Sequence, residues 1–72
     1  MNTTDQFIAG LRIANRLKNT TCNKACKEAG VNPSTLYRFM NRESDIKMIT
    51  LDAICRRGYQ MSISKIIALG EA

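Results

Sequence analysis

Apolar residues recur at intervals of three and four along this chain, which is the spacing of one face of an α-helix. In the first such segment, residues 5–18, Phe7 and Leu11 share a face. Thr3 and Gln6 have the spacing of a capping box, whose two side chains bond the free amides at the start of a helix. The pattern predicts an all-α domain with five helices, over about 5–18, 22–29, 33–40, 51–57 and 63–69.

Capping residues set the bounds of the second and third predicted helices. Thr20 or Thr21 precedes the second helix, and Gly30 follows its last turn, where a residue with positive φ ends a helix at little steric cost. Asn32 is a preferred N-cap, and Pro33 occupies the first helical position, where its missing N–H is not needed. The third helix is expected to bury Leu36, Phe39 and Met40 and to expose Ser34, Thr35, Tyr37, Arg38 and Asn41.

The last two predicted helices follow a loop that is polar at Asn41 and apolar by Ile49. Thr50 is expected to cap the fourth helix, and Gly58 to end it. Ser62 is expected to cap the fifth, which is strongly aliphatic and is predicted to form a dimer interface through Ile63, Ile66, Ile67 and Leu69. Three methionines are expected to fill gaps in the core: Met40, Met48 and Met61.

The positive charge of the chain is concentrated around the second and third helices. The net charge is +5, from 11 basic and 6 acidic residues in a chain of 72, which is the length of one domain. Between residues 12 and 47 there are eight basic residues and three acidic ones, and 8 − 3 accounts for the whole excess. A nucleic acid is the natural partner for such a surface, although a basic surface also serves solubility.

Other functional classes find little support in the composition. Without histidine or a Gly-rich phosphate loop, and with no convincingly spaced carboxylate pair, we expect no enzymatic activity and no cofactor. Cys22, Cys26 and Cys55 are too few for a structural zinc site and are expected to be core thiols, with a redox role for Cys22 as the alternative. No segment is apolar enough to cross a membrane or to act as a signal peptide, so a cytoplasmic protein is expected.

The second and third helices carry a family resemblance. Small residues at Ala25, Cys26 and Ala29, then Gly30, Val31 and residues 33–39, resemble the helix-turn-helix of the Cro and phage-repressor (lambda-repressor-like) family. The similarity continues through residues 49–55 and 61–63, where that family has its fourth and fifth helices. In a helix-turn-helix the second, recognition helix can enter the DNA major groove.

The resemblance implies a set of DNA contacts. The residues expected to meet base edges are Asn32, Pro33, Ser34, Tyr37 and Arg38. The residues expected to meet phosphates are Thr21, the amide of Cys22, Lys24, Asn41, Arg42 and Lys47. Among these, Arg38 is the strongest candidate for readout because a guanidinium can bond both O6 and N7 of guanine. An ion pair between Arg38 and Glu43 or Asp45 is the alternative.

The sequence therefore predicts a DNA-binding transcriptional regulator, a Cro-type phage or prophage repressor that binds a pseudo-palindromic operator as a homodimer. With one short domain, no small-molecule ligand is expected. An antitoxin or a restriction–modification controller resembles the same family. A helical adaptor, which places its aliphatic C-terminal helix in a groove of a protein partner, is the alternative of a different class. For residues 21–41 alone, the alternative is an ordinary turn between two helices that touches no DNA.

Overall fold

Five α-helices and no strand make up residues 2–71, the part of the chain that the computed structural model describes. The helices are α1 (Thr3–Leu17), α2 (Cys22–Ala29), α3 (Pro33–Met40), α4 (Met48–Ala53) and α5 (Ile63–Glu71). A π-helical turn, Ile54–Gly58, directly continues α4. The predicted all-α class is confirmed. None of these helices combines the length and the hydropathy that a membrane-spanning segment needs.

The start of α1 differs from the prediction by one cap. Asn2 is the N-cap, and its side-chain oxygen accepts a hydrogen bond from the Asp5 amide at 2.8 Å. Thr3 is already the first helical residue, so the predicted Thr3–Gln6 capping box is wrong. Asn is at least as good an N-cap as Thr, and here it lies at the correct distance from a free amide.

The bounds of α2 and α3 agree with the prediction because local chemistry determines them. The Thr21 hydroxyl accepts from the Lys24 amide at 3.2 Å, and the Asn32 side chain accepts from the Ser34 amide at 3.0 Å. Gly30 has φ 74°, and with this left-handed residue the Val31 amide reaches back to the Cys26 carbonyl at 2.9 Å. Three residues, 30–32, thus separate the two helices.

The core lies between α1, α2, the π-helical turn and α5. Its fully buried members come from α1, α2, α3, α5, the π-helical turn and the segment after Gly58: Leu11, Ala14, Ala25, Cys26, Leu36, Ile54, Cys55, Tyr59 and Ile66. Helices α1 and α5 touch backbone to backbone, because a β-carbon on Gly10 would overlap the Ile66 carbonyl and one on Gly70 would overlap the Gln6 carbonyl. This contact fixes α5 against the N-terminal helix.

The fourth helix begins earlier than predicted. Lys47 is its N-cap and provides no side-chain cap, so the predicted Thr50 cap is wrong; Thr50 is inside the helix. Gly58 ends the π-helical turn, as expected for the end of this segment. Met48 is 68% exposed, which contradicts its predicted role as a core gap-filler, whereas Met40 and Met61 do pack against the core.

Helix α5 is longer than predicted and uses its aliphatic side chains inside the protein. The Ser62 hydroxyl accepts from the Lys65 amide at 3.1 Å, as expected for its cap. Ile66 is completely buried, and Ile63, Ile67 and Leu69 are partly buried against the core. Ile66 therefore has no area left for a dimer partner, whereas Ile63, Ile67 and Leu69 each keep part of their surface exposed.

Candidate nucleic-acid interface

The first turn of α3 presents a small polar group to solvent. The Asn32 side-chain oxygen accepts hydrogen bonds from both the amide and the hydroxyl of Ser34, each at 3.0 Å. This arrangement leaves the Asn32 amide hydrogens and the Ser34 oxygen lone pairs facing outward as donors and an acceptor. Pro33, between them, is half-buried. Asn32 and Ser34 therefore form one rigid unit, since each holds the other in place.

One turn further along α3, Tyr37 and Arg38 project from the protein. Tyr37 is 43% exposed, and Arg38 is exposed as well. Within residues 2–71 the ion pairs are Arg42–Asp5 and Arg56–Asp52, so the alternative pairing of Arg38 with Glu43 or Asp45 does not form. Thr35, expected to face outward, is only half-exposed. The Arg38 guanidinium is available to an external acceptor.

The N-terminus of α2 offers a second set of polar groups. Thr21 and Lys24 are exposed, and the Thr21 hydroxyl, although it accepts from the Lys24 amide, keeps its own proton to donate. The amides of Cys22 and Asn23 have no intrahelical acceptor, as at the start of every helix. The Cys22 side chain itself is buried. Only the backbone of Cys22 can therefore meet a phosphate.

Arg42 occupies an unusual position after α3. Its φ is 65°, in the left-handed region, and with this geometry the Glu43 amide donates to the Arg38 carbonyl at 2.8 Å. The Arg42 guanidinium forms an ion pair with Asp5 of α1, and both side chains stay partly exposed. Sequence reasoning did not find the role of Asp5, because the two residues are 37 positions apart and no local pattern links them.

Most basic residues of this part of the chain have no ion-pair partner within residues 2–71. Of the eight basic residues between residues 12 and 47, Arg42 alone takes part in an ion pair in the part of the chain that the structure describes. The other seven are all exposed: Arg12, Arg16, Lys18, Lys24, Lys27, Arg38 and Lys47. Asn41, also predicted to meet a phosphate, is exposed at the end of α3. These charges are free for a polyanion.

A buried polar cluster supports the start of α2. The Tyr59 hydroxyl donates to the Asn15 side-chain oxygen at 2.7 Å and lies 3.5 Å from the Cys22 sulfur, and the Asn15 amide lies 3.4 Å from that sulfur. Burial, followed by the contact with Cys22, raises the pKa of Tyr59 well above its usual range. Sequence reasoning missed both Asn15 and Tyr59; the one available signal was a polar residue on the apolar side of α1.

The three cysteines are free and buried. Burial is the main cause that raises the pKa of Cys26 from 9.0 to about 11 and that of Cys55 to about 12, with smaller contributions from Cys22 and Asp52 respectively. Both thiols are therefore protonated at neutral pH and behave as small core side chains. Among residues 2–71, no three Cys, Asp or Glu side chains gather into a possible metal site.

Comparison with known proteins gives no family assignment: no protein-family model, no curated protein and no solved structure matches this chain.

Proposed function

We propose that this protein is a transcriptional regulator that binds double-stranded DNA in a sequence-specific way, as a Cro-type repressor does. In this proposal α2 and α3 form a helix-turn-helix, and α3 enters the major groove. The observation that carries it is Arg38, an exposed arginine with no carboxylate partner among residues 2–71, on the solvent side of a short helix that begins directly after a three-residue turn.

The charge distribution supports a nucleic acid as the partner. Residues 12–47 carry seven exposed cations that form no ion pair in the described part of the chain. When such groups neutralise phosphates they release counterions, which is the main source of non-specific DNA affinity. The basic residues outside this window are balanced by acids, so the excess is local.

Four side chains at the N-cap and on the exposed side of α3 would divide the readout. Arg38 would bond the O6 and N7 atoms of a guanine, while the Asn32–Ser34 unit would present donors and an acceptor to the neighbouring base pair. Tyr37 would pack against a thymine methyl group or bond a phosphate. Lys24, with the α2 N-terminus, would hold phosphates and so fix the orientation of α3.

One recognition helix contacts too few base pairs to select a genomic site, so the regulator is proposed to act as a homodimer on a pseudo-palindromic operator. Its two half-sites would lie about 34 Å apart, one turn of DNA. Control would then depend on the concentration of the protein itself, with no small-molecule effector.

Selection of bound sequences from a random duplex library tests the proposal. The wild-type protein should enrich an inverted repeat with a guanine in each half-site. Arg38→Ala should lose the preference for that guanine, at a cost of about 1–3 kcal/mol in binding. Arg57→Ala is the matched control, because Arg57 lies outside residues 12–47 and is an exposed arginine with no ion pair to any described residue. No enrichment by the wild-type protein would refute the proposal.

Salt dependence separates this function from that of a protein adaptor. DNA affinity should fall by about one logarithmic unit per tenfold increase in salt for each phosphate neutralised. An adaptor that binds a protein through its helices would show little DNA affinity at any salt concentration.

A further inference from the structure

Two consecutive apolar side chains stand out from the surface at the start of α4. Met48 is 68% exposed and Ile49 is 77% exposed, which makes Ile49 the most exposed large apolar residue in the described chain. The other two are single residues: Leu17 at the end of α1, and Tyr37 on the proposed readout side of α3. We call the Met48–Ile49 pair the apolar step.

The apolar step borders a groove that leads down to the core. Phe7, Phe39, Ile46, Leu51 and Ile63 line this groove together with Met48. The rings of Phe7 and Phe39 meet edge to face, with their centroids 6.3 Å apart, so the floor is held rigidly by side chains from α1 and α3. An apolar side chain from outside would find a preformed depression beside the step.

The charges beside the apolar step favour a particular occupant. Asp45 and Lys47 are both exposed, and neither has an ion-pair partner within residues 2–71. One acid and one base cancel here, whereas the chain as a whole carries +5. A surface that contains both members of an ion pair is complementary to itself under a two-fold axis, which sets Asp45 of one copy opposite Lys47 of the other.

We propose that the occupant is a second copy of this chain, and that the apolar step forms the contact of a symmetric homodimer. In that dimer Met48 and Ile49 of each copy cover the groove of the other. The proposal deepens the proposed function, on which it rests for the need for a dimer. It also replaces the surface that the sequence predicted on α5, where Ile66 is fully buried and therefore inaccessible.

The size of the step limits the strength of the dimer. Standard stable interfaces bury about 800 Å² on each partner, and two exposed side chains with a groove provide much less. We therefore expect a dissociation constant on the order of 100 µM or weaker in free solution. Two half-sites on one DNA duplex would raise the effective concentration of the partners and populate the dimer there.

Disulfide trapping without DNA tests the surface directly. Ile49→Cys places a thiol next to the proposed two-fold axis, and the native cysteines are all buried, so the new thiol is the reactive one. Under mild oxidation this variant should form a covalent dimer at least tenfold faster than Leu17→Cys. Leu17 is the matched control because it is 63% exposed but lies outside the groove. Equal rates for the two variants would overturn the proposal.

Sedimentation equilibrium at about 0.1–1 mM provides the second measurement. The weight-average mass of the wild-type protein should rise with concentration. Ile49→Glu should remain monomeric, whereas Leu17→Glu should associate as the wild type does. Circular dichroism shows whether each variant is folded. A wild-type protein that is monomeric throughout, or Ile49→Glu that still associates, overturns the proposal. Because neither measurement contains DNA, failure of the proposed DNA binding would leave these results standing and would be seen separately.

Discussion

Gly58 lies against Ala25 so closely that a β-carbon on Gly58 would be 2.7 Å from both the β-carbon and the carbonyl oxygen of Ala25. This contact brings the π-helical turn onto α2 with no side chain between the two backbones. Gly30, at the end of α2, has the opposite environment, with open space around it and φ 74°. Gly58 is required because two backbones approach closely there, whereas Gly30 is required for its left-handed backbone conformation.

We predict that Gly58→Ala destabilises the fold by about 1–3 kcal/mol, because the added methyl group must displace backbone. Gly30→Ala should cost about 1 kcal/mol, from the left-handed conformation alone. Asn, which tolerates that conformation, should recover part of the stability at position 30 but none at position 58. Urea unfolding of the four variants checks these values; recovery by Asn at position 58 would contradict the assignment.

Asp5 competes with DNA for Arg42 if the proposed function is right. Asp5→Asn frees the guanidinium, so duplex DNA should bind up to about fivefold more tightly, which corresponds to the worth of an exposed ion pair. Asp52→Asn is the matched control, since it raises the net charge equally but frees Arg56 outside the proposed interface. Fluorescence anisotropy at low salt measures both. Equal gains in DNA affinity for the two variants would mean that net charge, and not the release of Arg42, causes the tighter binding.

The left-handed backbone conformation of Arg42, with φ 65°, is less favourable for arginine than it would be for glycine. Arg42→Gly should leave stability within about 1 kcal/mol of wild type, because relief of the left-handed backbone offsets the lost ion pair with Asp5. The same change should weaken DNA binding by removing a phosphate contact. Urea unfolding and anisotropy on the same samples separate the two effects. A large loss of stability would show that the Asp5 pair dominates.

The buried thiols predict a loss of stability at alkaline pH. The pKa values of Cys26 and Cys55 are raised from 9.0 to about 11 and about 12, so the unfolded chain releases these protons first as the pH rises. Stability contributed by the neutral thiols is complete below pH 9 and falls above it, by about 1 kcal/mol per thiol at pH 10. Urea midpoints at pH 7 and pH 10 should differ less for the Cys26→Ala/Cys55→Ala double variant than for wild type.

The two tyrosines of the chain form a natural pair of variants. Tyr59→Phe removes the hydroxyl that donates to Asn15 at 2.7 Å and leaves a part-buried acceptor unpaired, which should cost about 1–2 kcal/mol. Tyr37→Phe, at an exposed position, should change stability by less than about 0.5 kcal/mol. Thermal unfolding measures both. If Tyr59→Phe were neutral, water would be replacing the hydroxyl in the cluster.

The parts of this fold that the sequence predicts are those determined by interactions between residues close together in the chain. Thr21, Gly30 and the Asn32-Pro33 pair determine α2 and α3 through hydrogen bonds and dihedral angles within a few positions, so the sequence was sufficient there. The start of α4 has no side-chain cap, and the π-helical turn that continues it packs through Gly58 against Ala25 of α2, which is distant in sequence. Long-range packing of this kind has no local signature.

The candidate site likewise contains some features that the sequence predicts and others that depend on contacts between distant residues. The exposed side of α3 could be predicted from its helical spacing, and Arg38 is exposed as expected. The Arg42–Asp5 pair and the Asn15–Tyr59 hydrogen bond join residues far apart in sequence and could not be foreseen. For the apolar side chains of α5, the sequence indicates burial but does not say whether α1 or a second copy covers them; the structure buries Ile66 completely and leaves Ile63, Ile67 and Leu69 partly exposed.

The backbone contacts between α1 and α5 have a consequence for synthesis on the ribosome. The residues of α1 are translated before Ile66 and Gly70, which contact them through the backbone. The contact between α1 and α5 therefore cannot form until residues 66–70 have left the ribosome. While the intervening residues are synthesised, the side of α1 that faces α5 lacks this cover, and exposed apolar surface of this kind favours aggregation.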